Sequence, residues 1–218
     1  MEDAIAELDT ALGRAPIVPV VVLEKVADSL PVAESLLRGG ATVVEVTLRS
    51  DAALESITRI TELCPDLIVG AGTVLTATDA ERAAAAGARF LISPGFTDDV
   101  TSRAAELGIP AIPGVATASD VQRGVAAGMR RFKFFPAEAN GGASALRALR
   151  GPFPDVTFVP TGGIGPDNLA DYFATGNVCA VGGSWMVPID VIARGDFTMI
   201  ERLTREALAT IAEACTAK

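Results

Sequence analysis

The 218-residue sequence predicts an α/β protein, a (β/α)8 or TIM barrel with an extra helix ahead of its first strand. Three observations lead there. Short β-branched runs alternate with Ala- and charge-rich amphipathic stretches along nearly the whole chain, the pattern of a parallel sheet covered by helices. The strand-like runs number eight. Most of the helical stretches end in glycine and hand over directly to a strand. A doubly wound open sheet is the rival, but it rarely reaches eight uniformly short units and usually carries Gly-x-Gly-x-x-Gly after its first strand, where none stands here.

In chain order, the first dozen residues read as the extra helix. Strands are expected over residues 17–23, 42–49, 67–72, 90–94, 109–115, 131–137, 157–163 and 178–185. Helical patterns lie between them, among others over 28–38, 77–86, 98–107, 119–127, 143–149 and 166–174, and residues 197–214 supply a closing helix. Gly39, Gly87, Gly108, Gly128, Gly151 and Gly176 each follow a helix and are expected to adopt the left-handed cap conformation. With no linker and no low-complexity segment, residues 1–218 form one domain.

Composition narrows the chemistry. A net charge of −9 repels polyanions, which argues against nucleic acid or an anionic membrane as partner. The chain has no histidine, and Cys64, Cys179 and Cys215 follow no metal or disulfide spacing, so a zinc hydrolase, a Ser-His-Asp site and a histidine-ligated metal aldolase are disfavoured. No metal and no cofactor are expected, although an all-oxygen magnesium site stays open. An acidic N-terminus without an apolar core segment, and no stretch near the ~18 apolar residues a span needs, point to a soluble cytoplasmic protein.

Lys133 is the leading candidate for chemistry. It is one of three lysines and sits in the apolar run Arg131-Phe-Lys-Phe-Phe-Pro-Ala137, which reads as a buried strand. Burial destabilises an ammonium and frees the amine to attack a carbonyl. A lysine in a strand can equally be an edge gatekeeper or the partner of a buried carboxylate. In strand two, alternation puts Glu45, Thr47 and Arg49 on one face, so a carboxylate and a guanidinium are expected to point inward with Lys133, and Glu45 to pair with Arg49 or with Lys133. Lys25, after strand one, is the alternative nucleophile, expected to be exposed.

The strands' C-terminal ends, where such barrels work, collect polar residues and glycine. The turns Thr161-Gly-Gly-Ile-Gly165 and Val181-Gly-Gly-Ser184 follow strands seven and eight, where free backbone N–H groups commonly hold phosphate; glycines that simply make tight turns are the plainer alternative. Thr73 is a helix cap or, beside Arg49 and Lys133, a site hydroxyl. Pro94 and Phe135 are apolar walls or packing.

Together the runs Glu45-Val-Thr-Leu-Arg49, Val69-Gly-Ala-Gly-Thr-Val74, Ile92-Ser-Pro-Gly95, Phe132-Lys-Phe-Phe-Pro-Ala-Glu-Ala139, Pro160-Thr-Gly-Gly-Ile164 and Gly182-Gly-Ser-Trp185 resemble the 2-keto-3-deoxy-6-phosphogluconate (KDPG) aldolase family, also called 4-hydroxy-2-oxoglutarate (KHG) aldolase. The resemblance covers essentially the whole chain. It implies a metal-independent class I aldolase of the Entner–Doudoroff pathway, a (β/α)8 fold, a phosphorylated keto acid substrate and a homotrimer. By position, it implies that Lys133 is the Schiff-base lysine and Glu45 the general acid/base. Arg49 and Thr73 match the pyruvate-binding positions, with Pro94 and Phe135 beside them. Thr161 matches a position tied to stereochemical choice, and Gly162, Gly163, Gly183 and Ser184 match the phosphate pocket. Ser50 and Ala118 depart from the family's usual threonine and proline. A galactonate-type aldolase, one working chiefly on unphosphorylated 4-hydroxy-2-oxoglutarate, and a non-catalytic sugar-phosphate sensor are the competing readings.

Overall fold

The computed structural model describes residues 1–216. Among the described residues nine strands appear in chain order: β1 (Ile17–Val21), β2 (Val43–Thr47), β3 (Ile68–Gly72), β4 (Phe90–Ile92), β5 (Ala111–Ile112), β6 (Gly114–Val115), β7 (Arg131–Phe134), β8 (Thr157–Pro160) and β9 (Val181–Gly183). The α-helices are α1 (Glu2–Arg14), α2 (Ser29–Gly39), α3 (Ala53–Leu63), α4 (Ala77–Ala85), α5 (Asp98–Glu106), α6 (Ala118–Ala126), α7 (Gly142–Arg150), α8 (Leu169–Phe173), α9 (Ile189–Ala193) and α10 (Phe197–Thr216). The expected α/β class and the helix ahead of the first strand are both present.

All strand pairs are parallel, in a six-stranded sheet of order β5-β4-β3-β2-β1-β9 and a three-stranded sheet β6-β7-β8. The fifth expected strand, 109–115, is two short strands, because Pro113 between them has no N–H to give a ladder. Its carbonyl still accepts the Lys133 N–H at 2.9 Å, so the chain carries one sheet into the other. The eighth run also yields a shorter strand. Val178 makes only an isolated bridge to Phe158, and after β9 the Trp185 ring folds over Gly183, where a β-carbon would lie 1.8 Å from it.

Alternation separates two cores. Val44 and Val46 of β2, with Phe132 and Phe134 of β7, belong to the large cluster shared with the helices, whereas Val43, Phe90, Ile92, Ile112 and Val159 pack with Leu8 and Leu12 of α1. The N-terminal helix therefore covers the face of the sheets that also carries Glu45 and Lys133. Phe132 and Phe134 are fully buried, with Phe158 6.4 and 6.3 Å away between ring centroids, and each such side chain contributes about 1.5–3 kcal/mol by leaving water. They fix the strand that holds Lys133.

Of the six glycines expected as left-handed caps, Gly87, Gly108, Gly128 and Gly176 have positive φ; Gly39 and Gly151 do not. Gly151 is in the right-handed helical region, with φ −59°. Gly39 is still helical, and the cap passes to Gly40 at φ 98°. What requires glycine at 39 is the neighbouring helix, since a β-carbon there would lie 2.6 Å from Thr204 Cβ of α10. Among the described residues, no helix is long and apolar enough to cross a membrane.

Gly39→Ala is expected to force α2 and α10 apart and to cost about 1–3 kcal/mol, read as a lower urea midpoint at unchanged m-value. An unchanged midpoint would show that the helices adapt without strain.

Candidate active site

Period-two alternation delivers Lys133 from β7 and Glu45 from β2 to the same buried place. Lys133 Nζ lies 3.2 Å from Glu45 Oε1 and 3.4 Å from Oε2, and the two residues are 5% and 1% exposed. A charge-assisted contact of this kind gives the carboxylate a direct route to the amine's protons. Phe135 covers the amine, its ring centroid 5.2 Å from Nζ.

Two glycines make this contact possible. Gly72, at the end of the neighbouring β3, has no side chain because Glu45 fills the space; a β-carbon there would lie 2.1 Å from Oε1. Gly114 pairs in register with Lys133, and a β-carbon on it would lie 2.1 Å from the Pro94 carbonyl oxygen. Pro94 thus reaches the strand beside the lysine. The sequence marks Gly72 only as part of the run 69–74 and does not mark Gly114, although glycine within a strand signals close approach of another group.

Arg49 corrects an expectation. The strand ends at Thr47 and the chain turns, so the alternation that places Glu45 inward no longer governs residue 49. Arg49 is exposed and pairs with neither Glu45 nor Lys133. Its Nε donates to Thr73 Oγ1 at 3.3 Å, which joins the loops after β2 and β3. Thr73 is not the helix cap: α4 is capped by Thr76 and Asp79 in a reciprocal capping box. Thr73 has φ 58°, left-handed for a β-branched residue, the strain that collects at working sites. Lys25 is exposed, and Ser50 donates to the Leu23 carbonyl oxygen at 2.5 Å, tying the loop that carries Arg49 to the segment after β1.

The glycine turn 161–165 follows β8, whereas Gly182 and Gly183, expected in a turn, are the last two residues of β9 and pair with β1. Thr161 is 7% exposed and bridges to Gly182, where a β-carbon would lie 2.2 Å from the threonine hydroxyl. Gly162 and Gly163 have φ 101° and 80°. Asn168 clamps the turn, accepting from the Gly165 N–H and donating to the Gly163 carbonyl oxygen, both at 3.0 Å. The N–H groups of Gly163 and Ile164 donate to no protein group among the described residues. Gly183 is buried beneath Trp185, and Ser184 is exposed beside it.

A cavity of ≈ 610 Å³ lies elsewhere, between α1 and the starts of β5, β7 and β8, lined by Ile5, Leu8, Ile109, Met129 and Arg131 among others. It contains none of the residues above. Its size does not make it the reactive site, since the buried amine and its carboxylate are elsewhere.

The family model for KDPG and KHG aldolase matches residues 8–203. The 2-dehydro-3-deoxy-phosphogluconate aldolase of Pseudomonas aeruginosa is 47% identical over 213 residues, 98% of this chain and 97% of its own. The KHG/KDPG aldolase of Escherichia coli is 47% identical over 200 residues, covering 92% of this chain and 94% of its own. Among solved structures, KDPG aldolase from Legionella pneumophila, with pyruvate captured as a covalent carbinolamine intermediate, superposes with a TM-score of 0.89 at 42% identity over 92% of this chain and 97% of that one.

Gly72→Ala is expected to push the Glu45 carboxylate off Lys133. A crystal structure of the variant should show Nζ and both carboxylate oxygens more than ~4 Å apart, beyond a useful contact. An undisturbed pair would mean that the glycine is not what shapes it.

Proposed function

The chain belongs to the KDPG and KHG aldolase family, and from that premise we propose that it is a lyase cleaving 2-keto-3-deoxy-6-phosphogluconate to pyruvate and glyceraldehyde 3-phosphate through a Lys133 Schiff base. The observation that carries this reading is the buried Lys133–Glu45 contact at 3.2 Å. The name of the Escherichia coli relative supports the same chemistry on 4-hydroxy-2-oxoglutarate, which would give pyruvate and glyoxylate.

The proposed steps follow from the geometry. Glu45 takes a proton from the ammonium, and the Lys133 amine adds to the C2 ketone. Glu45 returns the proton to the departing hydroxyl, so water leaves and a protonated imine remains. Glu45, again a carboxylate, removes the C4 hydroxyl proton as the C3–C4 bond breaks. The bond's electrons move into the imine, and the aldehyde product departs from a pyruvate enamine. Glu45 then protonates the enamine carbon, and water hydrolyses the imine to release pyruvate and restore the amine. Arg49, held by Thr73, keeps its Nη groups for the substrate carboxylate. Pro94 and Phe135 exclude water from the amine. Thr161 is proposed to set the stereochemical preference at C4, and Gly162, Gly163, Gly183 and Ser184 to take the phosphate through backbone N–H groups and a hydroxyl.

Four wider features belong to the same proposal. The two sheets are read as one closed (β/α)8 barrel, supported by the continuous chain at Pro113 and by parallel bridges from Phe158 to Val178 and from Thr161 to Gly182. The homotrimer and the Entner–Doudoroff role rest on the family. A cytoplasmic location is supported by the free state of Cys64, Cys179 and Cys215.

Pyruvate release from the phosphorylated substrate tests the two leading roles. Lys133→Gln, which keeps a polar partner for Glu45, is expected to lose turnover. Glu45→Gln should slow imine formation and the later proton transfers together, with kcat falling about 10²–10⁴-fold. Turnover surviving in folded Lys133→Gln would move the nucleophile to Lys25.

A further inference from the structure

We propose that Glu138 and Tyr172 form a positioning pair that holds the glycine turn after β8 open for phosphate, an inference that rests on reading that turn as the phosphate subsite. The two residues are 34 positions apart, and the Tyr172 hydroxyl donates to Glu138 Oε1. Tyr172 is 1% exposed, on α8 immediately after the turn, while Glu138 follows β7. Burial, then the bond to Glu138, pushes the tyrosine hydroxyl above its ordinary range, so it stays a donor at any physiological pH.

The pair is built against the turn. Backbone N–H groups of Ala137 and Glu138 donate to the carbonyl oxygens of Thr161 and Gly162 at 2.8 and 3.1 Å. The Glu138 side chain then lies across Gly163, where a β-carbon would meet Glu138 Cγ at 2.6 Å. With Asn168 holding the next carbonyl, three successive carbonyl oxygens are engaged, and the N–H groups of Gly163 and Ile164 are left over. Such a run of unpaired amides favours an anion.

That anion has a competitor in the chain. Glu138 makes no ion pair among the described residues; its Cβ and Cγ pack on the same turn as the free amides, while its carboxylate is held at Tyr172 and beside Gly142. Released from Tyr172, the carboxylate at the end of that side chain would be free to swing from Gly142 to those N–H groups and occupy them in place of the substrate's phosphate. The tyrosine bond holds it aside. Glu138 and Tyr172 therefore act through the turn on substrate selection and touch no reacting atom.

The test compares KM for 2-keto-3-deoxy-6-phosphogluconate with KM for its unphosphorylated counterpart, 2-keto-3-deoxygluconate. Tyr172→Phe is expected to raise the first relative to the second by about tenfold, the loss of roughly one hydrogen bond to an anion. Adding Glu138→Gln should return the ratio toward that of the unaltered protein, because no carboxylate is left to compete. A ratio of two KM values within one variant is insensitive to the fraction folded. An unchanged ratio in Tyr172→Phe, or no recovery in the double variant, overturns the pair's role. Inorganic phosphate separates this from the underlying reading: failure to inhibit the unaltered protein competitively would overturn the subsite, and this inference with it.

Discussion

The structure is organised around one expensive interaction, an ammonium and a carboxylate facing each other out of water. Removing Lys133 and Glu45 from solvent costs several kcal/mol per ion, and their mutual attraction offsets this only in good geometry. An apolar pair of similar volume would fold as well or better. The arrangement makes sense for an amine that must give up its proton within reach of a base, and the surroundings are fitted to it. Gly72 vacates the space the carboxylate occupies, Gly114 lets the Pro94 carbonyl approach, and Phe132 and Phe134 anchor the lysine's strand from the other side.

From that centre the site extends along the strand ends by parts that share a principle: each polar group is held by a neighbour and keeps some capacity free. Arg49 is steadied by Thr73 through Nε, which leaves its Nη groups. The turn after β8 has its carbonyls engaged by the segment after β7 and by Asn168, which leaves its amides. A carboxylate at one end of a substrate and a phosphate at the other match these two capacities, with a ketone at the amine between them. In a chain of net charge −9, local donors of this kind offset the repulsion that an anion would meet.

Much of this was legible in the sequence, wherever a short-range rule governs. Period two placed Glu45 and Lys133 inward while the chain was a strand, and failed at Arg49 because the strand had ended. The glycine pair at 162–163 was visible as a turn, whereas the pair at 182–183 ends β9, because its backbone pairs with β1. Pro113 announced the break in the fifth strand through its missing N–H, but hydrophobicity alone read across it. The rest depends on contacts between distant segments. That Gly39 makes room for Thr204, Gly72 for Glu45 and Gly163 for Glu138 is set by packing that no local pattern records, and so is the bond from Tyr172 to Glu138. The left-handed Thr73 is likewise unreadable, since a β-branched residue is the wrong type for that conformation and is held there by its surroundings.

The measurement that bears most directly on the account is peptide mass spectrometry of the protein after incubation with pyruvate and borohydride. The account predicts one reduced adduct, on the peptide that contains Lys133. A folded protein that forms none, or that carries its adduct on Lys25, would contradict it.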